Sequence, residues 1–397
     1  MDVFAGHSVS KYRSSVLIAP YSPVGRGEMV HLGASRKIEF VLQLLSTISE
    51  QVTLVNSAHN GRRWSSSRTV PLTLSPTAKI VEHIPFETPI RPIGKLLNLL
   101  FSRATTRFLR RLNPDLVWLY NGYAFECFFT LKILKTLRPT VVIEIEDDHA
   151  ARSRGLWPKP WLDRQLLTRT LPHSHLITII NSSMAGRYSK HGAAELIFPG
   201  AVTTELLEGV RRAPFSLGQT ATAGYFGALD KEKGADVILD VISQYELPNW
   251  RFIICGSGPL LSKFKDAAER FNGRLSVHHD VAPQRLYQLM NRTDVIINPH
   301  TSIVAMRDGV FPFKVLEAVA TGRLLLSTKL PPCRPDISQA VYQFDGTSAD
   351  LAHKLMSARA EARERQRQID VTSAHVRQIY SLEGVRAQVL KALRGVE

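Results

Sequence analysis

The chain has only three cysteines, Cys127, Cys255 and Cys333. Odd in number and widely separated, they argue against a disulfide framework and against a zinc site, and read as buried thiols. Long apolar runs are missing too. A membrane-spanning helix needs about 18 or more uncharged apolar residues, and the two best stretches, 38–45 and 125–137, are broken by Glu39, Gln43, Lys132 and Lys135. Residues 1–15 carry Asp2, His7, Lys11 and Arg13 and no apolar centre, so no secretory leader is expected and the expected compartment is the cytoplasm. Acid is in deficit: 35 Asp and Glu stand against 50 Lys and Arg, a formal net charge of +15. An acidic partner follows: nucleic acid, an anionic lipid surface or phosphorylated small molecules. No zinc-finger, RNP or helix-turn-helix pattern accompanies the basic residues, which argues against nucleic acid.

What is present is regular. At 397 residues and 44% hydrophobic, the chain has room for two domains of about 200 residues with full cores. Apolar β-branched runs at 16–19, 52–55, 116–120, 140–145, 176–180 and 196–198 alternate with helix-length segments. A second series follows at 222–226, 251–255, 275–278, 295–298, 323–327 and 341–344. Strands separated by helices predict parallel βαβ units, hence an α/β protein with two Rossmann-like, doubly wound sheets facing a cleft. The pattern lapses between 203 and 220, so we expect a domain at 1–204, a linker at 205–220, a second domain at 221–375 and a helix at 376–397 returning to the first. The run ARAEARERQR at 358–367 alternates in sign and reads as a solvated helix face.

The segment 308–322, DGVFPFKVLEAVATG, carries the most chemistry. A helix starting near Pro312 turns free backbone N–H groups toward the preceding loop and favours an anion there. Lys314 adds a full charge. Glu317, one turn on, has a carboxylate suited to two vicinal hydroxyls such as those of a ribose, so Phe311, Pro312, Lys314 and Glu317 together predict a nucleotide site. The same residues also fit an ordinary Pro-started helix with a solvated Lys and a capping Glu.

Two basic regions bear on partners. Arg91, Lys95, Arg103, Arg107, Arg110 and Arg111 occur with no acid between 91 and 111. On a helix, Leu97, Leu100, Phe101, Ala104 and Phe108 form a stripe flanked by Arg103, Arg107 and Arg110. Residues 152–161 interleave Arg152, Arg154 and Lys159 with Trp157 and Trp161, a mixture suited to an anionic membrane surface. Packing of the stripe on its own domain, with a solvated arginine flank, is the other reading.

Taken in order, the motifs resemble those of GT-B-fold glycosyltransferases, in particular family 4, along nearly the whole chain. They are VLIAPYSPVGRG at 16–27, AELIFPGAV at 194–202, GYFGALDKEKG at 224–234, IICGSGP at 253–259, Asp280-Val281, DVIINP at 294–299 and the segment at 308–322. The resemblance implies a first, acceptor domain and a second, donor domain. It implies that Gly25 and Gly27 let backbone approach sugar and phosphates, that Lys233 neutralises the donor diphosphate, that Gly256 and Gly258 form a second tight turn, and that Val281 lies against the base. The family's usual Arg after the Gly of the donor-domain loop is Ala228 here, so either Lys231 or Arg307 supplies the second charge or the diphosphate is held less tightly. Where a family Glu is common this chain has Gly309, beside Asp308.

The implied reaction is transfer of a sugar from a nucleotide-diphosphate sugar to a saccharide or lipid-linked acceptor in cell-surface polysaccharide assembly, with retention and with no metal or cofactor. The implied enzyme is cytoplasmic and peripheral on the inner face of the membrane. At the end of the strand 140–145, Glu146, Asp147, Asp148 and His149 compete for the position at which the family presents a His to the donor sugar. A carboxylate there, Asp147 above all, suits a general base and inversion; His149 suits sugar positioning. Tyr120, Asn121 and Gly122 are expected to line the same cleft. A nucleotide-sugar epimerase of similar fold, or a basic nucleic-acid-binding protein, are the alternatives.

Overall fold

Fully apolar runs such as Val16-Leu17-Ile18 and Val141-Val142-Ile143 have no polar face to show to solvent, so they demand a sheet covered on both sides. The computed structural model places them so, all at 0% exposure. It describes residues 11–22, 32–58, 64–74, 79–87, 97–100, 102–146, 158–188, 192–211, 220–300, 311–333 and 335–395. These fall into two units, Met1–Pro199 with Val385–Glu397, and Gly200–Gly384.

The first unit is built on β1 (Tyr12–Ala19), β2 (Ser49–Asn56), β3 (Arg68–Leu72), β4 (Ile80–Ile84), β5 (Leu116–Tyr120), β6 (Thr140–Ile145), β7 (Leu176–Ile179) and β8 (Ala194–Ile197). Their order is β3-β4-β2-β1-β5-β6-β7-β8, parallel throughout except for the antiparallel pair β3 and β4. The helix Leu32–Ser46 carries β1 to β2 and buries Ile38, Val41, Leu42 and Leu45, the spacing of one helical face. β3 and β4 escape the sequence pattern because β3 is an edge strand. Pro71 is tolerated there, and Glu82 and His83 in β4 find partners instead of water: Glu82 accepts from Asn56 Nδ2 at 2.7 Å, and His83 stacks on Phe108 at 4.1 Å.

The basic amphipathic helix expected from the stripe at 97–108 is interrupted by a turn at Ser102. A helical stretch at 97–100 and the helix Arg103–Leu112 are separate. The second buries Thr105, Thr106 and Leu109, leaving Ala104 exposed and Phe108 half-buried. Packing chose that face because Thr105 reaches His83 Nε2 at 3.2 Å. Leu100 is 66% exposed, and Arg103, Arg107, Arg110 and Arg111 are all exposed.

The second unit has the order β11-β10-β9-β12-β13-β14, every pair parallel. Its strands are β9 (Ala221–Phe226), β10 (Trp250–Cys255), β11 (Leu275–His278), β12 (Val295–Asn298), β13 (Leu324–Ser327) and β14 (Val341–Gln343). Helices Ala235–Gln244, Leu261–Arg270 and Pro283–Asn291 make the crossovers among β9 to β12. The order reverses between β9 and β12, and in such sheets ligands bind outside the carboxyl ends of the strands at that reversal. The helix Ser348–Ile379 follows, with Thr347 Oγ1 accepting from the Asp350 N–H at its start. Residues 376–379 are the end of this helix, and the last helix is Leu382–Arg394.

One polar cluster lies deep in the first unit. Lys37 is 1% exposed, its Nζ 2.8 Å from Glu144 Oε1 and 4.7 Å from the Phe198 ring. The Lys37–Glu144 contact is an ion pair without hydrogen-bond alignment, whereas Glu144 Oε2 accepts from Trp118 Nε1 at 2.9 Å. Removing one member strands a buried charge. Lys37→Ala is expected to lower the unfolding free energy by about 3–5 kcal/mol, and Lys37→Met combined with Glu144→Gln to cost less than that single change. Urea denaturation followed by tryptophan fluorescence measures both; a Lys37→Ala loss within the scatter of surface substitutions overturns the assignment.

Candidate functional site

The loop after β9 is shaped by its own hydrogen bonds. Asp230 Oδ1 accepts from the Lys233 N–H at 2.7 Å, and the Lys231 and Asp230 carbonyls accept from Gly234 and Ala235. Gly234 then starts the helix Ala235–Gln244 at φ +71°. A Cβ on Gly234 would lie 1.8 Å from the Pro299 carbonyl oxygen. Only glycine permits this approach, so the turn after β9 is set directly against the residues that follow β12. Gly256 does the same for the next strand, where a Cβ would lie 1.8 Å from the Gly227 carbonyl.

Three side chains able to carry positive charge converge there. Lys233 Nζ is 2.9 Å from His300 Nε2. Lys314, first residue of the helix Lys314–Ala320, reaches back so that its Nζ sits 4.6 Å from the centre of the Tyr225 ring. A Cβ on Gly227 would be 3.3 Å from that same Nζ. Tyr225 is fixed by donating its hydroxyl to the Ala228 carbonyl at 2.6 Å. The Lys314 ammonium is packed round by protein atoms although the residue as a whole is only half-buried. Burial first, then Lys233, brings its pKa down to about 7, with Asp230 pulling the other way. His300, 6% exposed, is pushed down to about 3 by burial and then by Lys233 and Lys314. Such depressions mark a place where positive charge is held without full compensation, and an anion relieves them.

The remaining expected donor-side residues lie along the same edge. Phe311 and Pro312 are buried, and the Pro312 carbonyl accepts from Val315, so the turn at 311–313 leads into the helix, which begins at Lys314. Glu317 is half-buried in its first turn. Gly256 and Gly258 follow β10. Val281, after β11, packs on Ile253, Cys255 and Leu289. Beside it Asp280 takes φ +51° and accepts from Ser257 Oγ at 3.1 Å; hydrogen bonds from His279 and then Ser257 hold its carboxyl below the usual range.

Among the described residues Lys314 stands close to Lys233, and Lys231 is exposed; Arg307, also considered for the second charge, lies outside the described residues. Gly25, Gly27, Asp147, Asp148, His149, Trp157, Asp308 and Gly309 lie outside them as well. In the first unit, Asn121 at φ +64° accepts from the Glu146 N–H at 2.8 Å, and Glu146 Oε1 is 3.7 Å from Lys37 Nζ. Tyr120 and Asn121 are buried. His300 and Tyr225 are the site residues that sequence reasoning missed. The motif at 294–299 stops one residue short of His300; a histidine two residues past the carboxyl end of a strand at the order reversal was the available signal.

The depressed Lys314 has a consequence for stability. Below about pH 7 the lysine is charged in both folded and unfolded chains, and the penalty of the buried ammonium is fully present. From about 7 to the model-peptide value of 10.5 the unfolded chain keeps the proton that the folded chain has lost, so stability rises with pH. Lys314→Met is expected to flatten this rise; thermal unfolding at several pH values between 7 and 9.5 measures it, and an unchanged slope counts against the buried ammonium.

Residues 220–358 match the family model described as glycosyl transferases group 1. No curated protein sequence matches the chain. Solved structures match nearly all of it at low identity. A sucrose-phosphate synthase from Thermosynechococcus elongatus is 11% identical with a TM-score of 0.66, covering 97% of this chain and 99% of its own. The Anabaena protein HepE, in complex with UDP, is 11% identical with a TM-score of 0.65, covering 96% and 100%. The lipopolysaccharide outer core galactosyltransferase WaaB is 13% identical with a TM-score of 0.62, covering 96% and 99%. At these identities the likeness establishes the fold, and the family match over the second unit establishes the class. Residues 220–358 are a glycosyl transferases group 1 domain, which makes this chain a glycosyltransferase, and the whole of it has the GT-B fold.

Proposed function

We propose that this glycosyltransferase takes its sugar from a nucleoside diphosphate sugar bound at the carboxyl edge of the second sheet, and passes it to a saccharide or lipid-linked acceptor in cell-surface polysaccharide assembly. The observation that carries the donor reading is the convergence of Lys233, Lys314 and His300 at the strand-order reversal. Breaking the bond between sugar and diphosphate leaves negative charge on the departing phosphate. Fixed positive groups favour that state without reorganising, and they need no metal to do so. Among the described residues no group of three or more His, Cys, Asp and Glu has the arrangement of a metal site. Glu317, on the helix that presents Lys314, is the acceptor for the ribose hydroxyls, and Val281 with Gly256 and Gly258 borders the base. Asp147 and His149 are the candidates on the acceptor side, and we take the transfer to proceed with retention. That HepE binds UDP and UDP-glucose favours a donor of this kind; that WaaB is a lipopolysaccharide galactosyltransferase favours a glycolipid acceptor.

The acceptor reading includes an anionic membrane surface on the cytoplasmic side. What supports it is the exposed set Arg103, Arg107, Arg110 and Arg111 with Leu100, 66% exposed, and Trp64, 58% exposed. Trp64 lies 5.7 Å from Phe86, whose carbonyl accepts from Asn98 Nδ2 at 2.6 Å, so the tryptophan and the residues leading into the arginine helix are neighbours. Trp161 is exposed as well. No helix among the described residues is long and apolar enough to cross a membrane.

A screen of UDP-, GDP- and ADP-sugars for hydrolysis and transfer identifies the donor. With it, Lys233→Ala and Lys314→Ala are expected to lower kcat, and Glu317→Gln to weaken donor binding by about 2 kcal/mol, the range of charge-assisted hydrogen bonds. Activity is expected to survive EDTA. A strict divalent-metal requirement, or wild-type donor affinity in Glu317→Gln, overturns the arrangement. For the membrane face, each basic residue near an anionic surface contributes about 1 kcal/mol and is screened by salt. Exchanging Arg103, Arg107 and Arg110 for Glu is therefore expected to abolish flotation with phosphatidylserine vesicles at low salt while donor binding persists. Equal flotation of both proteins makes the arginines a solvated face only.

A further inference from the structure

Lysine carries three donors and no acceptor. At 2.9 Å from Lys233 Nζ, the ring nitrogen Nε2 of His300 therefore meets an ammonium only through its lone pair, with any ring proton on Nδ1. The imidazole is then an uncharged acceptor. Its own position is set by backbone and by the neighbouring strand. The His300 carbonyl accepts from Thr328 Oγ1 at 2.9 Å, the Thr328 N–H donates to the Asn298 carbonyl, and Asn298 Nδ2 donates to Ser327 Oγ at 2.8 Å. Pro299, immediately before it, is in contact with Gly234, immediately after Lys233. Both partners of the Lys233–His300 contact are thus anchored by backbone, one on each side of the strand-order reversal.

The choice of partner matters. A carboxylate at this place would hold Lys233 as firmly and would also cancel the charge that an anion needs. Of the two acids in this turn, Glu232 is exposed and Asp230 directs Oδ1 to the Lys233 backbone N–H, while the side-chain ammonium meets an imidazole. We propose that His300 is a positioning residue of the donor site: a neutral acceptor that aims the Lys233 ammonium at the donor diphosphate and leaves its charge for the phosphate. This deepens the donor reading above and rests on it. Burial and the neighbouring lysines, which keep the ring uncharged at neutral pH, agree with the role.

The test is equilibrium binding of UDP, GDP and ADP to the full chain, using whichever binds the wild type most tightly. His300→Gln keeps a neutral acceptor and is expected to bind within about threefold of wild type; His300→Ala, losing one charge-assisted bond, is expected to bind about tenfold more weakly. His300→Glu supplies a stronger acceptor with a negative charge, and is expected to bind more weakly than His300→Ala. The double change Lys233→Ala with His300→Ala is expected to bind no more weakly than Lys233→Ala alone, because the histidine acts through that lysine. Thermal unfolding verifies that each variant folds; should His300→Ala fail, the comparison of Gln with Glu stands by itself. Wild-type affinity in His300→Ala, affinity in His300→Glu equal to that in His300→Gln, or full additivity with Lys233→Ala each overturns the role of His300 and leaves the donor site standing. Absence of binding of all three nucleotides to the wild type overturns the donor reading, and the role of His300 with it.

Discussion

Two lysines brought to one place repel each other, and burial of one of them adds to that cost. Around Lys233 and Lys314 the second unit holds such an arrangement by backbone contact, with Gly234 against Pro299 and Gly256 against Gly227. These contacts are possible only between glycine and a bare carbonyl, so they set the separation of the loops without relying on any flexible side chain. Burial first, and Lys233 second, push the Lys314 ammonium below the usual lysine range, with Asp230 acting against them. Positive groups held together in this way would favour an anion, and that is the property the proposed donor site rests on, since such an interaction strengthens as negative charge develops.

The parallel sheet is what makes this inexpensive. Its strands, buried on both faces, align every carboxyl end along one edge, and the reversal of order between β9 and β12 opens the space where loops of separate origin meet. Lys233 comes from the loop after β9, His300 from the end of β12, and Lys314 from the helix that precedes β13. The first unit has a comparable reversal at β1, flanked by β2 and β5, but its deep polar cluster is compensated. There Lys37 faces Glu144, and Glu144 also holds Trp118. Lys37 is thus neutralised by an acid, while in the second unit Lys233 meets an imidazole.

The strand series was legible because apolar β-branched runs of four to six residues leave few alternatives. β5, β6, β11 and β12 coincide with their sequence patterns at both ends. The pattern failed where edge strands mix classes: Pro71 in β3, and Glu82 with His83 in β4, spoil alternation while satisfying contacts that only the assembled sheet supplies. It failed also along 91–111, where helical spacing alone put Ala104 and Phe108 on the inner face. The structure buries Thr105, Thr106 and Leu109 because a histidine on β4 offers a partner to a threonine.

By itself the sequence determined the two α/β series, the loop glycines that admit close backbone, and the presence of Lys233, Lys314 and Glu317 after or near strand ends. Those features depend on local geometry and on hydrophobic period, which neighbouring residues specify. Only the tertiary structure decided that Lys314 stands close to Lys233, that this second lysine lies on Tyr225, and that His300 completes the group. Residues 67 positions apart meet because β9 and β12 are neighbours in the sheet, and strand order is a property of the whole packed layer that no local stretch encodes.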